Sequence, residues 1–97
     1  MLKRDYIIIK QQLCFFKDGK IPHWNTVKQR VWKNEAINNP SAYTPENLDR
    51  MRRGLAPIVD DSPMELHHPH GRLGENFFIF EPLTYQEHFF KHYGRYP

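Results

Sequence analysis

The chain has 97 residues and a mass of 11.7 kDa, enough for one small hydrophobic core. A hydrophobic share of 39%, with two Trp and seven Phe, excludes wholesale disorder. The lone cysteine, Cys14, excludes an internal disulfide and any all-cysteine zinc site, so a metal would have to be held by His, Asp or Glu. Fourteen Lys and Arg against eleven Asp and Glu leave a charge of +3 and a pI near 9.1, which suits a polyanionic partner and equally a solubilising surface. Apolar runs such as "YIIIK" and "LCFF" are too short to span a bilayer, and "MLKRDY" lacks the apolar stretch of a signal peptide, so a soluble chain is expected.

From the start of the chain, "YIIIKQQLCFFKDGKIPHW" mixes β-branched and aromatic residues around a "KDGK" turn signal, which is compatible with a hairpin or a helix. "NTVKQRVWKNEAINNP" predicts a helix capped at Asn25, with Val27, Val31 and Trp32 inward and a stop before Pro40. "YTPENLDRMRRG" predicts a second helix. Thr44 caps it, Pro45 takes the first position, Glu46 sits in the first turn and Gly54 ends it. Leu48, Met51 and Leu55 are its expected buried face, and Arg50, Arg52 and Arg53 lie near its C-terminus, where the macrodipole favours cations.

"APIV", "DDSP" and "MELHH" then read as strand, turn and strand, with the histidine pair at the strand end before Pro69. A loop with two glycines, "PHGRLGEN", leads to "FFIF", the length of a buried strand. "TYQE" at Thr84 to Glu87 matches a capping box, so a short helix is expected to about Tyr93, closed by Gly94.

On that last helix His88 and His92 are four residues apart, which places them on one face and within reach of a single ion. A metal site needs a further ligand from elsewhere, and His67 and His68 supply candidates. Neighbours on a regular strand face opposite ways, so both serve one site only if the strand ends there. One would then bind the ion while the other takes a proton from water. His70 is read as a loop histidine, His23 as structural, and Phe89 and Phe90 as packing residues.

"ELHH", a glycine-containing loop, an apolar strand and a helix bearing H-x-x-x-H together resemble the ββα-metal site of HNH nucleases and the corresponding stretch of colicin DNases. "GLAPI…MELHH" and "EPLT…EH" look closer still to the LHH subgroup of the HNH and endonuclease VII superfamily, found as C-terminal toxin domains of bacterial polymorphic toxins. The resemblance covers about residues 48 to 93. It implies an α+β fold, one nuclease domain over residues 1–97 in which a supporting segment (1–43) precedes a helix and a ββα-metal (His-Me finger) motif (44–97). His67, His88 and His92 would be metal ligands, His68 the general base, and Glu65 an acidic residue fixing a ligand or an arginine. The middle Asn of the HNH signature would fall near Ile79, where this chain departs from the pattern; Asn76, three residues earlier, is read as a turn residue.

The activity implied is hydrolysis of DNA with little sequence specificity, assisted by one divalent ion. Three imidazoles favour zinc, nickel, cobalt or copper by ligand softness, with zinc expected bound; abundance and open coordination positions keep manganese and magnesium as candidates. Arg50, Arg52, Arg53, Arg72, Lys91 and Arg95 are the expected phosphate contacts. The resemblance also implies a toxin module of a larger secreted or delivered bacterial protein, acting in the cytoplasm of a target cell and countered by an acidic immunity protein. The end of the chain at Pro97, five residues past His92, fits such a terminal module. Two other readings stand beside it: a non-enzymatic nucleic-acid-binding module with all four histidines closed around structural zinc, and an HNH nuclease acting on RNA or in restriction or homing.

Overall fold

The computed structural model describes residues 5–9 and 22–95; the "KDGK" turn and Cys14 lie outside the described residues. The class is α+β. In chain order the elements are strand β1 (Ile7–Ile8), helices α1 (Trp24–Asn38) and α2 (Pro45–Arg52), strands β2 (Ile58–Val59), β3 (Ser62–Pro63), β4 (Glu65–His67) and β5 (Ile79–Leu83), and helix α3 (Tyr85–Tyr93). They gather into two compact units: α1 and α2 belong to one, and β1 with everything from Ile58 onward to the other. The second helix groups with α1, while β2 to β5 and α3 fall in the other unit.

In the helical unit, α1 starts one residue before the expected cap. His23 takes that role, its Nδ1 accepting the Asn25 backbone N–H at 3.1 Å, so the imidazole replaces the usual short polar cap. Val27, Val31, Trp32 and Ala36 are buried at helical spacing, and the same stripe includes Glu35, whose carboxylate accepts the Tyr43 hydroxyl at 2.6 Å. Helix α2 has the expected ends: Thr44 accepts the Asn47 N–H, Pro45 opens the helix, and Gly54 follows it at φ +84°. A Cβ on Gly54 would stand 3.1 Å from that of Gln29, so close approach to α1 also demands glycine. Of the expected buried face only Met51 is fully covered; Leu48 is half-buried and Leu55 exposed, because the chain turns away at Gly54 before another helical turn can form.

The other unit is built around β5, which pairs antiparallel with β1 (Ile7 opposite Phe80) and with β4 (Glu65 opposite Leu83, His67 opposite Glu81). The turn in "DDSP" is tighter than expected. Asp60 and Asp61 both have positive φ and make a two-residue hairpin turn, so "APIV" pairs through Ile58–Val59 with Ser62–Pro63, while "MELHH" pairs with β5 instead. The expected strand "FFIF" is likewise shifted. Residues Gly74–Phe78 form a 3₁₀ turn and β5 starts at Ile79, with Asn76 exposed inside the turn. Phe77 and Phe78 are buried from that turn, beside Ile7, Met64, Leu66, Phe80 and Leu83. Pro82 is tolerated in β5 because, among the described residues, it lies beyond the β1 pairing, where a missing N–H breaks no ladder.

Candidate metal centre

Strand alternation places Glu65 and His67 on one face of β4 and Leu66 on the other. A single residue, Thr84, links β5 to α3, and its side chain starts the helix. Thr84 Oγ1 accepts the Glu87 N–H at 3.1 Å while Glu87 Oε1 accepts the Thr84 N–H at 2.9 Å. Gly94 closes α3 in the left-handed conformation at φ +68°. With both ends set locally, the helix presents His88 and His92 to the Glu65–His67 face.

His67, His88 and His92 converge, each offering one ring nitrogen within 4.8 Å of those of the other two, and so could hold a metal ion. Nε2 of His88 and Nε2 of His92 are 3.0 Å apart. Nitrogens about 2.0–2.1 Å from a tetrahedral ion stand about 3.3–3.4 Å from each other, so this pair is already near the edge length of such a site. Glu65 accepts a hydrogen bond from Nδ1 of His88, which puts the ring proton on Nδ1 and turns the Nε2 lone pair toward His92. Three imidazole nitrogens suit an ion of the zinc class by their donor chemistry. Burial first, and then the charge of Lys91 and of the neighbouring histidines, holds His67 below the usual imidazole range; Glu81 acts the opposite way.

His68 is not a fourth member of this trio. It is 8% exposed, with its ring 5.2 Å from that of Phe77 and 4.7 Å from that of Phe80. β4 ends at His67, and His68, the next residue, lies just past the strand end. Nε2 of His68 donates to the Phe77 carbonyl at 3.0 Å, which assigns the proton to Nε2 and the basic lone pair to Nδ1. Burial, and then the charges of Arg72 and His67, hold its pKa below the usual imidazole range against the opposing effect of the Phe77 bond. The Phe77 carbonyl is invisible to sequence reading, since it depends on where the 3₁₀ turn gives way to β5.

The expected phosphate contacts divide between the units. Arg50, Arg52 and Arg53 belong to the helical unit, where Arg50 Nε donates to Ala56 O at 3.0 Å and Arg53 pairs with Asp49 at 3.0 Å. Arg72, Lys91 and Arg95 belong to the unit with the trio; all are exposed, and Lys91 pairs with Glu81 at 2.7 Å. His70 stands apart from the trio, its ring edge-on to Tyr6. The assignment of Phe89 and Phe90 to packing needs correction: α3 buries no residue fully, Phe89 is only partly covered, and Phe90 is 42% exposed. Among the described residues no helix is long and apolar enough to cross a membrane. Comparison with protein-family models, curated proteins and solved structures gives no match.

Proposed function

We propose that the chain is a metal-dependent endonuclease of the HNH and endonuclease VII type, LHH subgroup, which hydrolyses DNA phosphodiester bonds with little sequence preference. The observation that carries this reading is the convergence of His67, His88 and His92, with a separately anchored imidazole on the very next residue, His68. His67, His88 and His92 would hold the ion, zinc by donor softness, with nickel, manganese or magnesium as alternatives for turnover. When bound, the ion supplies Lewis-acid stabilisation of charge on the phosphate and the leaving oxygen. Glu65 keeps His88 in the ligating tautomer. His68 accepts through Nδ1 a proton from the attacking water as its oxygen bonds to phosphorus and the P–O bond to the leaving group breaks. Its depressed pKa favours the neutral form needed for that step.

A trio, with His68 directed to the Phe77 carbonyl, favours a site with an open coordination position over a closed four-histidine structural zinc. Arg72, Lys91 and Arg95, all exposed in this unit, are cations suited to phosphate contacts, which position a strand and carry no sequence information. In this reading the chain is the toxic module of a larger bacterial protein, delivered to the cytoplasm of a target cell. An acidic immunity protein would restrain it in the producer. The test is digestion of supercoiled plasmid by the purified chain with zinc, nickel, manganese or magnesium. Nicking that needs a divalent ion and disappears in His68→Ala is expected; full activity of that variant removes His68 from its role. Side-by-side digestion of RNA decides the nucleic acid.

A further inference from the structure

Helix α3 carries aromatic residues one turn apart at Tyr85, Phe89 and Tyr93. Their rings form a ladder, 6.1 Å from Tyr85 to Phe89 and 4.5 Å from Phe89 to Tyr93, the second pair inclined at 41°. Core aromatics would be covered, yet Tyr85 is 44% and Tyr93 65% exposed. The three rings line an open cavity of about 280 Å³ together with Glu65, His88 and His92, so two of the metal-site imidazoles form part of its wall.

We propose that this cavity is a base-stacking slot, which receives an unpaired nucleobase of a single-stranded or locally melted nucleic acid and makes such strands the preferred substrate of the centre. The inference rests on the nuclease reading for its catalytic meaning, though not for the binding itself. An aromatic ladder offers π-faces, and every nucleobase has a complementary face that becomes accessible only when it leaves its own stack. In a duplex those faces are already covered by neighbouring bases. A base held against Phe89 and Tyr93 lies beside His88 and His92, which brings its own backbone phosphate to the trio. Arg95, exposed two residues beyond Tyr93, continues the path with a positive charge suited to the next phosphate. Stacking on a π-face is sequence-tolerant, because every base has one, in keeping with an enzyme of little sequence preference.

The test is fluorescence anisotropy of the full chain with a labelled thymidine oligonucleotide, an abasic strand of equal length and charge, and a duplex, all under chelation so that nothing is cleaved. The thymidine strand should bind on the order of tenfold more tightly than the abasic one, the scale of one base stacked on protein aromatics. Tyr85→Ala and Tyr93→Ala should each reduce that preference, and Tyr93→Phe should keep it. Both tyrosines are exposed, so circular dichroism of the variants should match the parent. Equal affinity for the two single strands, tighter binding of duplex, or an undiminished preference in the double alanine variant would overturn the slot. An intact base preference in a chain that cleaves no nucleic acid with any divalent ion sinks the hydrolytic reading and leaves the slot standing.

Discussion

The Glu65 carboxylate holds Nδ1 of His88 across the β4–α3 contact, and this fixes which nitrogen of His88 faces His92. A metal ligand is only as good as its orientation, and the carboxylate sets both the tautomer and the ring plane. Glu65→Ala should therefore weaken zinc binding roughly ten- to one-hundredfold. Glu65→Gln, which still accepts the Nδ1 proton but carries no charge, should fall between the two. Competition with a chromophoric chelator measures this; unchanged affinity in the alanine variant would show that His88 needs no brace.

Thr84 is 3% exposed and starts the helix that supplies two of the three imidazoles. Removing its hydroxyl in Thr84→Ala leaves the Glu87 N–H without its cap and should cost about 1 kcal/mol of stability. A urea midpoint lowered at unchanged slope is the expected signature, with Thr84→Ser restoring most of the loss. A midpoint equal to that of the parent would mean that the capping box contributes nothing.

Glu35 is buried in the apolar stripe of α1, and burial raises its pKa above the usual carboxylate value, against the lowering effect of hydrogen bonds from Tyr43 and Asn39. In the unfolded chain the carboxyl ionises at its ordinary pKa, while in the folded chain it holds its proton to higher pH. Its contribution to stability is thus complete below the unfolded value and is lost as pH rises through the raised folded value. Glu35→Gln keeps an oxygen for the Tyr43 hydroxyl and removes the buried charge, so its melting temperature should exceed the parent's at pH 7. The difference should shrink toward pH 4. Thermal melts across that range check the sign; a variant less stable at pH 7 would show that the ionised carboxylate stabilises the fold.

The legible parts of this chain are those fixed by neighbours in sequence. Thr44 with Pro45, Thr84 with Glu87, and Gly94 each set a helix end through bonds spanning a few residues, and all three stand where the residues indicate. The four-residue spacing of His88 and His92 needs only the helix itself. What depends on partners far along the chain was misjudged. The apolar run "FFIF" shows that something is buried, yet periodicity cannot tell a 3₁₀ turn holding Phe77 and Phe78 from a strand, and pairing with Ile7 and Ile8 decides that β5 begins at Ile79. The strand ends at the histidine pair as Pro69 indicates, but what encloses His68 depends on where the Gly74–Phe78 turn gives way to β5, and that sets its ring against Phe77 and Phe80. The exposed ladder on α3 was hidden for the same reason, since spacing alone does not say which face of a helix is covered.

Zinc-edge X-ray absorption of the zinc-loaded chain tests the central claim most directly. The account predicts three imidazole nitrogens at about 2.0–2.1 Å with a further light-atom position filled by solvent, and loss of an imidazole in His92→Ala. Four imidazoles around the ion, or a spectrum unchanged in His67→Ala, His88→Ala and His92→Ala alike, would contradict it.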